Sequence, residues 1–183
     1  MTKGDIMAYF NSRGLRGSTL EEFINLTNQV YREKNLAIIQ KIPTPIKPVK
    51  IDNENRTITL AYFNEKSIVD YMGVVQGIPV CFDAKETSKG FLPLQNIHQH
   101  QLDFMEDFEK QEGIAFMLVY FKMYDEYYYL PFKDILKYWQ DAKNGGRKSI
   151  PYTAFCKKYL IKSTGKFYVH YLEALNTYLK ENG

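Results

Sequence analysis

The 183-residue chain is 45% hydrophobic and 25% charged, which suits one domain with a sizeable core. Its two cysteines, and three histidines without zinc-ligand spacing, argue against a disulfide scaffold or a zinc module, and no apolar run reaches the length of about 20 residues needed to span a bilayer. A net charge of +3 is modest for a nucleic-acid-binding protein, so where the charges lie matters more than their sum.

In chain order, Ser18 and Thr19 open an amphipathic stretch in which Leu20, Phe23, Ile24, Leu26 and Val30 approximate helical spacing, predicting a helix to about Lys34. Thr19-x-x-Glu22 and Ser18-x-x-Glu21 both fit a capping box, and Glu22 is read as the cap. Glu21, four residues after Gly17, is then placed so that the helix can carry its carboxylate onto a metal site as a third acidic group. A strand is predicted over Leu36 to Gln40.

The segment from Pro43 to Lys66 is longer than a compact domain normally spends on a connection. Val49-Lys50-Ile51 and Thr57-Ile58-Thr59-Leu60 read as two arms, and Asn53-Glu54-Asn55 supplies the turn. With arms of about eight residues at roughly 3.3 Å each, such a hairpin reaches about 25 Å, twice the width of a DNA major groove. Lys41, Lys47, Lys50 and Arg56 are placed to meet phosphates. Tyr62 and Phe63 either stack on exposed bases, worth about 1–3 kcal/mol per base, or pack at the hairpin's root.

Tyr71 to Val75 and Ile78 to Phe82 read as strands around a Gln76-Gly77 turn, which brings Asp70 beside Asp83. Alternation then directs Asp83 and Lys85 to one side, with Phe82 and Ala84 turned to the other. Two such close carboxylates repel unless a hard cation with oxygen ligands at about 2.0–2.1 Å lies between them, which implies Mg²⁺ or Mn²⁺ and metal-assisted phosphodiester hydrolysis, with Lys85 balancing charge. Taken alone, Asp-x-Lys also fits the solvated face of a hairpin.

A helix is predicted over Leu94 to Glu109, with Asp103, Glu106, Asp107, Glu109 and Glu112 forming an acidic exterior turned away from DNA. A strand follows over Ile114 to Phe121, and Tyr124 to Tyr129 turn into another. Lys143, Arg147, Lys148, Lys157, Lys158, Lys162 and Lys166 follow one another with no acid between them, either a DNA-facing surface or a solvated one. Phe167 to Leu179 has helical spacing. Cys81 and Cys156 are expected to be reduced, Cys81 beside the site.

This order of helix, strand, acidic hairpin, helix and strand resembles the PD-(D/E)xK nuclease core. Arg16-Gly17, Leu20-Glu21-Glu22, Ile24-Asn25 and Thr27-Asn28 resemble the opening motif of the RecU family of Holliday junction resolvases. The likeness continues through Pro43-Thr44-Pro45, Ala61-Tyr62-Phe63, Asp70-Tyr71-x-Gly73, Ala84-Lys85-Glu86-Thr87 and Phe91-x-Pro93-Leu94. It extends to His100-Gln101, Gly113, Leu130-Pro131-Phe132 and the run from Arg147 to Tyr152.

The resemblance implies an α/β, restriction-endonuclease-like fold: a mixed sheet flanked by helices, one nuclease domain over residues 1–183, with the hairpin at 43–66 as a protruding stalk. It implies a cytoplasmic, Mg²⁺- or Mn²⁺-dependent homodimer that cuts four-way DNA junctions symmetrically in recombination and repair. Asp70 and Asp83 match the metal-binding carboxylates, Lys85 the motif lysine and Glu21 the helix carboxylate, a third metal ligand. Gln101 lies where related nucleases place a glutamine near the scissile phosphate, though a helical glutamine also suits solvent. Arg16, Arg147 and Lys148 fall in motifs expected to meet DNA. Asp83 stands where the family more often has glutamate, and Val69 where it usually has threonine. Contacts with recombination proteins, a branch-migration helicase or a recombinase, belong in the family to a longer basic arm than Met1 to Leu15 provide. A noncatalytic junction binder and a restriction-like duplex nuclease are the alternatives.

Overall fold

The computed structural model describes residues 19–63 and 68–182. The first helix, α1 (Thr19–Glu33), buries Leu20, Phe23, Ile24, Thr27, Asn28 and Tyr31, the three- and four-residue spacing of one helical face. Thr19 is already helical, and Ser18 lies outside the described residues. At this end the Leu20 N–H donates to Glu86 Oε2 at 3.3 Å, a carboxylate from far along the chain.

Strand β1 (Ala37–Lys41) starts one residue later than expected and pairs antiparallel with β4 (Tyr71–Val75). Between them, β2 (Ile46–Asp52) and β3 (Thr57–Phe63) form a separate two-stranded antiparallel hairpin. Its turn is tied by Asp52, whose Oδ1 accepts the N–H groups of Glu54 and Asn55 at 3.0 and 3.1 Å. Because β1 and β4 are paired as far as Lys41 and Tyr71, the hairpin is rooted beside Asp70.

A two-residue turn at Gln76-Gly77, with φ of 47° and 90°, joins β4 to β5 (Ile78–Thr87), as the hairpin chemistry predicts. The chain then passes through β6 (Phe91–Pro93), a 3₁₀ turn (Leu94–Asn96) and helix α2 (Gln99–Lys110) to β7 (Ile114–Phe121), which pairs parallel with β5. Helix α2 thus begins five residues later than expected, because Ile97 and His98 are extended, with ψ of 131° and 146°. Beyond β7 come β8 (Glu126–Pro131), α3 (Phe132–Lys143), β9 (Ser149–Pro151), β10 (Leu160–Ile161) and α4 (Tyr171–Asn182). The last helix begins four residues later than its sequence pattern suggests, and β9 pairs with β6.

The main sheet has the order β1-β4-β5-β7-β8-β10, and the β5–β7 pair makes it mixed. Helices α1 and α4 cover one face, where Leu20, Phe23 and Tyr31 pack with Tyr171 over a ladder of stacked rings. The ladder runs Tyr71, Phe82, Phe116, Tyr129 across four strands, with successive centroid separations of 4.8, 4.8 and 4.5 Å. Helices α2 and α3 cover the other face, where Leu102, Met105 and Ile135 pack on Cys81, Met117, Val119 and Leu130. Asp83 and Lys85 therefore project into a covered layer rather than into solvent.

Candidate active site

Asp70 is held by its backbone and its side chain. Its carbonyl accepts the Ile42 N–H at 2.8 Å, where the chain leaves β1, and its Oδ2 accepts the Ala84 N–H at 2.8 Å, from β5. The carboxylate is thereby drawn across β4 to Asp83 and Lys85.

Asp83 is fully buried, which the hairpin reading did not anticipate: both faces of β5 are covered, so alternation does not bring the residue to solvent. Gln101 Nε2 donates to Asp83 Oδ1 at 2.7 Å, and Gln101 Oε1 accepts the His98 N–H at 3.2 Å. Both ends of the carboxamide are thus engaged, so Gln101 is neither solvent-facing nor free to swing; it positions Asp83. The Lys85 ammonium lies 2.5 Å from Asp83 Oδ2, a close ion pair within the covered layer.

Burial pushes the Asp83 carboxyl up to about 7, and the neighbouring Asp70 carboxylate adds to the rise; the charge of Lys85 offsets only part of it. Burial likewise raises the Tyr71 hydroxyl, keeping it protonated, and Tyr71 Oη donates to Asn25 Oδ1 at 3.0 Å, tying the residue after Asp70 to α1.

The donor set fits a hard divalent cation. Two carboxylates converge, one of them fully buried, and the ligand atoms they offer are oxygens. Asp70 and Asp83 are the residues that would hold it. Glu21 is not gathered with them. Its carboxylate pairs with Lys41 at 2.5 Å, and among the described residues no group of three or more acidic, histidine or cysteine side chains forms a metal-holding cluster.

The other sequence-identified residues fall into separate places. Lys47, Lys50, Arg56 and Tyr62 lie on the hairpin, where the Lys47 ammonium sits 6.0 Å from the centre of the Tyr62 ring. Arg16 and the side chain of Phe63 lie outside the described residues. Arg147 donates to Ser149 Oγ at 2.8 Å and lies over Phe91, and the Lys148 carbonyl accepts the Leu94 N–H at 3.1 Å. Glu109 departs from the expected acidic exterior: it is half-buried, accepts the Ala115 N–H at 3.4 Å, and its carboxyl is raised by burial. Cys81 is a buried free thiol whose pKa burial pushes up to about 12, so it is no nucleophile; Cys156 is exposed and free. No helix among the described residues is long and apolar enough to cross a membrane.

Residues 15–177 match the family described as RecU, Recombination protein U. A protein of Oceanobacillus iheyensis named Holliday junction resolvase RecU is 45% identical over 141 residues, covering 75% of this chain and 72% of that protein. Proteins of the same name from Pediococcus pentosaceus and Limosilactobacillus reuteri are 43% identical over 146 residues and 44% over 147. Each alignment covers 78% of this chain, with 73% and 72% of the respective relative.

Proposed function

This chain belongs to the RecU family, and on that premise we propose that it is a structure-selective endodeoxyribonuclease that resolves four-way DNA junctions in recombination and repair. The observation that carries the chemistry is the meeting of Asp70 with the fully buried Asp83 beside Lys85. In this reading the fold is of the PD-(D/E)xK type. When bound by these two carboxylates, Mg²⁺ or Mn²⁺ supplies Lewis acidity to the phosphoryl oxygen and lowers the pKa of the attacking water.

The protein's own groups do the remaining work. Gln101 and the Ala84 N–H hold Asp83 and Asp70 in fixed orientations, so little reorganisation is needed when substrate arrives. The Lys85 ammonium, beside Asp83, would balance the charge that builds on the phosphate as water adds and the P–O ester bond breaks. The β2–β3 hairpin, rooted next to Asp70, is the stalk that enters the open centre of a junction, with Lys47, Lys50 and Arg56 along it.

The hairpin also supports a homodimer. Ile46, Val49, Ile51, Ile58, Leu60 and Tyr62 are 47 to 59% exposed, and an isolated two-stranded hairpin with apolar faces is marginal in water. A second copy covers those side chains and sets two sites about a twofold axis, as symmetric cutting of opposed strands requires. The test is competition between a labelled four-way junction and matched linear duplex. Retained junction binding under a large excess of duplex supports the reading, and equal competition by duplex contradicts it.

A further inference from the structure

Beyond the nuclease centre, α1 and the edge strand β1 enclose a polar groove of about 230 Å³ lined by Asn25, Asn28, Gln29, Arg32, Gln40 and Lys41, with Ile39 as its apolar floor. Two hydrogen bonds fix how its asparagines face. Tyr71 Oη donates to Asn25 Oδ1 at 3.0 Å, and Tyr171 Oη donates to Asn28 Oδ1 at 2.5 Å. Each amide oxygen is thus consumed on the buried side, and among the described residues neither amide nitrogen has an acceptor. Asn25, Asn28 and Arg32 follow at the three- and four-residue spacing of one helix face. Arg32 has no acidic partner among the described residues, and no carboxylate lines the groove; Glu33 is engaged by Gln29 Nε2 at 3.1 Å.

A row that offers N–H donors and a guanidinium, without a carboxylate, selects a ligand made of acceptors and negative charge. Asn25 to Arg32 spans about 10 Å of helix, the axial length of roughly three phosphate-to-phosphate steps of one DNA strand. The groove ends at Lys41, whose neighbour Ile42 donates to the Asp70 carbonyl, so a backbone lying in it leads to the nuclease centre. We propose that the α1–β1 groove is a second DNA contact, in which the exposed Asn25 and Arg32 bind the phosphodiester backbone of a junction arm, with the largely buried Asn28 lining the groove between them. This rests on the junction-nuclease reading. Lys41 is held back by its pairing with Glu21, so its contribution is smaller than that of Arg32.

The test uses Asn25→Asp and Arg32→Glu in the full chain, with four-way junction binding measured in EDTA over a range of salt concentrations. Asn25→Asp is nearly isosteric and keeps the acceptor for Tyr71, but replaces the outward donor with a charge that repels phosphate. Each variant is expected to bind the junction at least about tenfold more weakly. The salt dependence of log K is expected to fall by about one phosphate contact for Arg32→Glu. Lys180→Glu, the same charge change as Arg32→Glu but on α4, is expected to match wild type. The groove assignment is overturned if both variants keep wild-type melting temperatures and wild-type junction affinity; that outcome, with selective junction binding by the wild type, leaves the groove to an extended peptide adding to the β1 edge. If the wild type itself shows no preference for junction over duplex, the nuclease reading fails first and takes this inference with it.

Discussion

Gln101 and Asp83, eighteen residues apart on different elements, share a buried hydrogen bond of 2.7 Å that fixes the more buried of the two central carboxylates. The bond locks a helix onto the nuclease strand, and its loss has two consequences. Gln101→Leu keeps the volume but leaves Asp83 Oδ1 without its donor, which is expected to lower stability by about 1–3 kcal/mol. The carboxylate also loses its orientation, so the Mg²⁺ concentration for half-maximal cleavage is expected to rise about 10–100-fold. Thermal melts in EDTA and a Mg²⁺ titration of cleavage measure the two separately.

The raised Asp83 carboxyl sets a pH dependence. Between the ordinary carboxyl value of 3.8 and about 7, the folded chain binds more protons at this site than the unfolded chain does. The site's contribution to stability is complete below 3.8 and is lost as pH rises to about 7. Metal-free protein is therefore expected to melt lower at pH 8 than at pH 5, by an amount corresponding to a few kcal/mol, and Asp83→Asn to lose that part of the difference. Mg²⁺ added at pH 8 is expected to restore the wild type and not the variant. Melting curves at the two pH values, with and without EDTA, decide it.

At Gly73 the fold leaves no room for a side chain. A Cβ there would overlap the Ile38 carbonyl oxygen and come within 2.8 Å of Ile39 Cα, both backbone atoms of the neighbouring β1. Because backbone cannot step aside as a side chain can, Gly73→Ala is expected to cost about 3 kcal/mol or more. A denaturant midpoint close to wild type would contradict the strand packing described here.

Replacing residues 43 to 66 with a short turn is expected to preserve the fold, because β1 and β4 remain paired from Ala37–Val75 to Lys41–Tyr71 without the hairpin. The variant should keep a cooperative melt while losing its preference for junction over duplex. Affinities for the two DNAs, measured side by side, test whether the hairpin carries selectivity.

Much of this was legible where the determinants are local. Gln76-Gly77 declared a turn, the alternation Phe82-Asp83-Ala84-Lys85 declared which side chains share a face, and Asn53-Glu54-Asn55 marked the hairpin tip that Asp52 ties down. The misses come from partners far away in sequence. The burial of Asp83 follows from α2 and α3 covering its face of the sheet, and α3 itself was not anticipated. Glu86 meets the Leu20 N–H at the start of α1 from 66 residues away, and nothing near Leu20 announces it. For Gln101 the sequence left both a place at the site and a solvent-facing one open; the side-by-side placement of α2 and β5 puts its carboxamide on Asp83. For Glu21, helix position alone did not reveal that Lys41 claims its carboxylate.

The most direct test of the central claim is cleavage of a labelled, mobile four-way junction by the wild type and Asp70→Ala, with Mg²⁺, with Mn²⁺ and with EDTA. The account predicts paired symmetric nicks for the wild type with either ion, none in EDTA, and none for Asp70→Ala, which still binds the junction. Metal-dependent nicks from Asp70→Ala at the wild-type rate would contradict it.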